Sequence, residues 1–189
     1  MRKLLVVCLS LALSGVLGGC RERASSTVKH DGCSLISKDE IESVQEVPVN
    51  ETKSSERSEG VFRVAQCFYT AAEFSKSVNL ALVEKYPNQR GERSPKDFWK
   101  EKFDAYNTNE KERDGKSETK ARDQNEKGSP PKKISGLGDD AYWISNRFGG
   151  VLYILKSDAF ISIGLGGTDD EATKLEKSKV LARKALERL

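Results

Sequence analysis

Cysteine and histidine carry most of the reactive chemistry open to this chain, and there are few of either: Cys8, Cys20, Cys33, Cys67 and His30. One histidine leaves little material for an imidazole-activated nucleophile or a histidine-rich metal centre. The cysteines include no Cys-x-x-Cys pair, the spacing of redox and zinc sites. Serines are plentiful, yet none stands in a Gly-x-Ser-x-Gly turn. Gly164-Leu165-Gly166-Gly167 has the glycine content of a phosphate cradle but lacks the Walker lysine and the dinucleotide spacing. Asp169, Asp170 and Glu171 then put negative charge where a phosphate would sit. Asp139, Asp140, Asp158, Asp169 and Asp170 offer hard oxygen ligands without the spacing of a calcium loop. The residue types therefore point to thiol modification and disulfide formation. No catalytic residue, metal site or cofactor is expected.

Cys20 takes its meaning from what precedes it. Arg2 and Lys3 give a positive start, Leu4 to Leu17 is an almost unbroken apolar run, and Leu17-Gly18-Gly19 leads into the thiol. A run of about 14 residues is too short for a membrane span and suits a signal-peptide core. A buried first helix is the poorer reading, because Val6, Val7, Leu9, Leu11 and Leu13 leave no polar face. The layout resembles a bacterial lipoprotein signal, whose small-residue lipobox places a cysteine for diacylglyceryl transfer. Gly18 departs from the most typical residue of that motif. Residues 1–19 are then a leader that takes Cys8 with it, and Cys20 becomes the lipidated first residue. Two acyl chains anchor stably where one is marginal. Residues 20–32 form the lipidated tether, and twelve flexible residues reach about 20 Å. Arg21 after the cysteine resembles outer-membrane sorting, with the domain in the periplasm; in a Gram-positive cell the same anchor places it on the outer face of the cell membrane.

Of the 32 Lys and Arg, Arg2 and Lys3 fall in the leader, which leaves 30 against 29 acids, a net charge of +1. A near-neutral, evenly charged surface argues against nucleic acid, which needs a clustered basic face. Residues 33–189 suit one domain of ordinary size. Cys33 and Cys67 remain as an even pair in an exported chain, most simply a disulfide. Closing a loop of about 35 residues stabilises by roughly 3–4 kcal/mol in the chain-entropy treatment.

The elements that hold these residues follow from periodicity. Ser37 and Glu40 have capping-box spacing inside an Ile36–Ile41 staple, which predicts a helix from Lys38 to Gln45. Asn50 to Gly60 reads as polar and turn-like. Val61 to Tyr69 and Ser77 to Lys85 read as strands, the first with Phe62, Val64 and Phe68 on one face and Arg63 on the other. Ser94-Pro95 opens a helix whose Trp99, Phe103 and Tyr106 form an aromatic stripe. Core packing is the first reading of that stripe and the wall of a ligand groove the second. Residues 107–133 hold one apolar residue, Ala121, among alternating charges, and are expected to be a disordered loop, with a lid as the sharper alternative. Ala141 to Asn146, Val151 to Lys156 and Ala159 to Leu165 form a meander, with Tyr142 and Ile144 facing opposite to Trp143. Thr168 and Glu171 have the spacing of a second capping box, before a terminal helix with the stripe Leu175, Leu181, Ala182, Ala185 and Leu189. The sum is α+β: about five antiparallel strands, with three amphipathic helices mainly on one face.

Cys33-Ser34-Leu35-Ile36 through Glu40-Ile41, then Cys67-Phe68-Tyr69, then Gly136 to Trp143, resemble small bacterial envelope lipoproteins of unknown function, of the actinobacterial type. The resemblance implies a helix-on-sheet binding or sensor domain and brings no catalytic residues with it. The expected function is a membrane-anchored, non-catalytic domain that binds or scaffolds an envelope protein partner. The alternative is a small-ligand or lipid-binding module using a sheet–helix cleft. Its candidate residues are Trp99, Phe103, Tyr106, Tyr142, Trp143 and Phe148.

Overall fold

A computed structural model describes residues 30–86, 93–113 and 130–189, with the backbone alone over 105–113. The leader, Cys20, the tether to residue 29, positions 114–129 and the Tyr106 side chain lie outside the described residues.

The chain runs α1 (Lys38–Gln45), β1 (Val49–Glu59), β2 (Phe62–Ala71), β3 (Val78–Lys85), α2 (Pro95–Arg113), β4 (Lys132–Lys133), β5 (Asp140–Ile144), β6 (Val151–Lys156), β7 (Ala159–Leu165) and α3 (Glu171–Leu186). Among the described residues seven strands form one antiparallel sheet in the order β1-β2-β3-β7-β6-β5-β4. The class is α+β, but with two strands more than periodicity indicated. Both extra strands are edges. β1 buries Val49 alone, so it has no apolar alternation to read, and β4 is two residues long. The ends of the expected loop 107–133 are ordered instead, since α2 continues to Arg113 and Lys132–Lys133 pair with β5.

Strand alternation divides the interior in two. One face carries Cys67, Leu80, Ile161, Leu152 and Trp143 beneath α1 and α3. The other carries Tyr142, Leu155 and Phe160 beneath Trp99 and Phe103 of α2. The helices thus cover both faces, which corrects the expectation of a single covered face. The Cys33–Cys67 disulfide joins a short 3-10 turn (Gly32–Ser34) to β2, with Cα atoms 4.9 Å apart. Tyr69 lies beneath it, its hydroxyl donating to the Ile36 carbonyl at 2.6 Å, and burial pushes its pKa up to about 12.

Helix ends are set by side chains. The box at α1 is complete, with Glu40 N–H donating to Ser37 Oγ at 3.3 Å and Ser37 N–H to Glu40 Oε2 at 2.9 Å. At α3 the cap is Asp170, whose carboxylate accepts from the Thr173 N–H at 2.9 Å; the Thr168–Glu171 box does not form, because Glu171 turns to Trp143 instead.

Glu40 also clasps the two helices together. Arg188 donates to both its oxygens at 2.7 and 2.8 Å, and Lys184 approaches to 3.3 Å. These bonds from Arg188 outweigh partial burial and hold the carboxyl far below its ordinary value. Glu40→Gln should therefore lose about 1–2 kcal/mol at neutral pH, after allowance for solvent screening. A carboxyl depressed in the folded state stabilises above the unfolded value. The difference from wild type should shrink as pH falls below that value and vanish below the folded one. Urea midpoints measured across that acid range check both the size and the sign.

Candidate functional site

Of the described aromatic candidates, Trp99, Phe103 and Tyr142 come together, while Trp143 and Phe148 lie apart from them. Ser94 and Asp97 cap α2 reciprocally, Ser94 N–H to Asp97 Oδ2 at 3.0 Å and Asp97 N–H to Ser94 Oγ at 3.2 Å, which sets the helix over the sheet. Trp99 and Phe103 then lie one turn apart on its inner side. Phe103 stacks on Tyr142 with centroids 4.5 Å apart and planes 6° apart, and Trp99 sits 4.4 Å from Phe103. All three are buried, and the Trp99 indole N–H donates to Asp140 at 3.2 Å. The proposed sheet–helix cleft is thus filled by its own rings. Trp143 lies in the opposite core and donates from Nε1 to Glu171 at 2.8 Å. That bond, after one from Ser145, lowers the Glu171 pKa.

Of the described candidates, Phe148 alone faces solvent, at 68 % exposure. Its turn is firmly built. Asn146 Oδ1 accepts from the Phe148 N–H at 2.8 Å, and the Asn146 carbonyl accepts from Gly149 at 2.9 Å. The buried Lys174 reaches from α3 to donate to the Phe148 carbonyl at 2.8 Å. Gly150 has φ of 144°, and a Cβ there would stand 2.3 Å from the Trp143 ring, so only glycine lets that indole support the turn. Outside, the Arg147 guanidinium lies 4.8 Å from the Phe148 ring centre.

A second exposed ring was not singled out by the sequence. Phe74 is 70 % exposed on the β2–β3 connection, 6.4 Å from Phe68. Ser77 Oγ donates to the Phe74 carbonyl at 2.7 Å, and Gln45 Nε2 donates to the Lys76 carbonyl at 2.6 Å. A phenylalanine inside a Glu-Phe-Ser-Lys turn was the available signal. Both turns leave the same end of the sheet, since Val78 pairs with Leu165 and Val151 with Gly164. They stand about three strand spacings apart, on the order of 14 Å.

His30, the first described residue, lies at the other end. Arg63 donates from Nη1 to the His30 carbonyl at 2.7 Å and to Glu84 at 2.9 Å, and from Nη2 to Glu56 at 2.8 Å. The His30 ring N–H donates to the second oxygen of Glu84 at 2.9 Å. Burial opposes the Arg63 charge, but the two carboxylates outweigh it and raise its pKa.

Open grooves also lie among the described residues. One of about 590 Å³ lies between β4 and α3 against Lys132, Ile134, Leu175 and Lys179. Another, of about 430 Å³, lies beside Trp99 and Asp140 under the 134–138 loop. Among the described residues no three metal-ligating side chains gather, and no helix is long and apolar enough to cross a membrane. Compared with protein-family models, curated proteins and solved structures, the chain finds no match.

Proposed function

We propose that this chain is a lipid-anchored envelope protein, held through Cys20, whose domain binds a protein partner without catalysis through the end that displays Phe74 and Phe148. The observation that carries the reading is the Phe148 turn. Its bonds and its Trp143 support hold a large apolar ring in water, and an anchor fixed beforehand loses little conformational freedom on binding. Aromatic residues presented this way are the typical centre of a binding hot spot.

The partner is a protein rather than the lipid to which the chain is tethered. His30 enters at the far end of β2, a strand of ten residues, so the two rings stand about 30 Å from the tether entry. The small-ligand reading keeps one supporting feature, the groove beside Trp99, whose volume falls within the ligand-pocket range.

Metabolic palmitate labelling and site-specific photocrosslinking of the full chain test the proposal together. Cys20→Ser should lose the label and leave the membrane fraction. A photoreactive residue at 148 should yield a defined protein adduct, while one at the exposed Val180 of α3 should not. Label that survives Cys20→Ser removes the anchor. Equal adducts at 148 and 180 remove the docking end, and a bound small molecule in native mass spectrometry, with no adduct, favours the groove.

A further inference from the structure

We infer that the corner of the sheet left open beside α2 is a carbohydrate site, where an uncharged oligosaccharide lies across Asn79 and Gly164. The inference depends on neither the anchor nor the phenylalanine end.

Two residues that strands disfavour stand opposite each other there. Asn79 pairs with Gly164 across β3 and β7, both interior strands of the sheet. Asparagine is depleted in strands, and its exposure on a central one is not explained by packing. Glycine inside a strand weakens it, and marks a bulge, a bend, or the close approach of other backbone or of a ligand. Bulge and bend do not apply, because the register runs unbroken from Gly164 to Asn79 on one side and Val151 on the other. Nor does other backbone press on the site: a Cβ at Gly164 would meet only Val151 Cγ2, at 3.6 Å. A ligand is the reason that remains. Local preference broken at two facing positions, without a gain in packing, is what a functional site leaves in a strand.

The neighbours decide what binds. Cross-strand partners share a face, so Phe68, Asn79 and Gly164 form one row and Gln66, Ser162 and Tyr153 the next. This is the α2 side, where Phe103 meets Tyr153. α2 crosses it obliquely, from Phe98 beside Phe62 and Phe160 to Phe103 over Tyr142, and leaves the β2–β3–β7 corner open. Half-buried Phe68 and Tyr153 flank that corner on strands about 14 Å apart, with Asn79 and Ser162 between them. None of the six is charged, in a chain that is 32 % Asp, Glu, Lys and Arg, so a charged ligand meets no counter-ion at the centre. At the rim, Glu51 neutralises Lys53 and Glu59 neutralises Arg57, while Lys102 lies over the Tyr153 ring. An apolar helix from a partner would strand the Asn79 amide and the Ser162 hydroxyl. The occupant that suits both is uncharged, rich in hydroxyls, and has C–H faces to set against rings. That is a sugar chain, whose hydroxyls can donate to or accept from the same amide and hydroxyl groups.

The test titrates cellotetraose, maltotetraose and chitotetraose into the isotope-labelled full chain, held in a phosphocholine detergent, and follows backbone amides by NMR. At least one sugar should shift the amides of 79, 81, 162 and 164 and leave α3 unmoved, with an affinity nearly independent of salt. Asn79→Val should weaken binding about tenfold, and Gly164→Leu, which fills the open corner, should abolish it. Phe148→Ala, at the other proposed site, should leave it unchanged. Both β3 and β7 replacements favour a strand, so their melting temperatures should equal or exceed the parent's. No shift with any of the three sugars overturns the inference. So does a shift that survives Gly164→Leu, binding that collapses in high salt, or a clear fall in melting temperature for Asn79→Val, which would make the pair structural. A protein adduct from a photoreactive residue at 79, with no sugar bound, overturns it in favour of a protein partner.

Discussion

Arg63→Ala is expected to remove about 3–5 kcal/mol of folding stability, far more than any surface charge on the same hairpin. The Arg63 side chain is 4 % exposed and its partner Glu84 only 13 %. Removing the guanidinium leaves the Glu84 carboxylate partly buried with His30 as its remaining bonded partner, and it releases the His30 carbonyl. Glu56, more open, is affected less. The loss should come mainly from stranding Glu84, so Arg63→Met combined with Glu84→Gln should cost much less than the sum of the single changes. Arg57→Ala, which removes exposed contacts to Glu59 and Gln66, should cost less than about 1 kcal/mol. Urea unfolding gives all five values. A loss below about 1 kcal/mol for Arg63→Ala would mean that the buried ion cluster does not hold the sheet. Hydrogen exchange at residues 31–34 should also rise, because the cluster is what fixes the chain as it enters the domain.

The same cluster marks a limit of reading function from a sequence. Arg63 was assigned correctly to the face opposite Phe62, Val64 and Phe68, but alternation says nothing about partners. Those partners, Glu84 and His30, are 21 and 33 positions away. Local signals did better. The first helix spans Lys38–Gln45 as its box and staple require, and β6 and β7 span the residues expected, because turn residues and buried side chains mark both ends. The Cys33–Cys67 pair followed from parity and compartment. β1 was not legible for a physical reason: an edge strand held by backbone bonds buries almost nothing, and side-chain pattern is the only record burial leaves. The stripe on α2 showed that the helix had an apolar side without showing which face of the sheet received it. Of the two exposed rings, Phe148 was a candidate site residue and Phe74 was not, although both are aromatic residues in turns. What separates a displayed ring from a buried one is the support beneath it, and Lys174 lies 26 residues from the Phe148 carbonyl it holds.

Phe103→Ala should cost about 3–5 kcal/mol, and the form of the loss is more informative than its size. The ring makes contacts with Trp99, Tyr142 and Tyr153, at centroid distances of 4.4, 4.5 and 5.9 Å. Those contacts, with Phe98 stacked at 5.9 Å on Phe160 and Phe62 edge-on at 5.8 Å, fasten α2 to its face of the sheet. The other face is packed independently by α1, α3 and the disulfide. Truncation should therefore release α2 while the sheet stays folded. Amide exchange should lose protection across 98–104 by about a hundredfold or more, with the central strands β3 and β7 nearly unchanged. Equal loss in β3 and β7 would show instead that the two faces unfold as one cooperative unit. The outcome also bears on ligand binding. A cavity opened in that cluster can take an apolar probe such as benzene, as dry engineered cavities do. If the probe restores protection to α2 in the variant and leaves the parent unaffected, then the native interface is closed by its own rings. On the proposed reading, binding then falls to the end of the sheet that holds Phe74 and Phe148 in water.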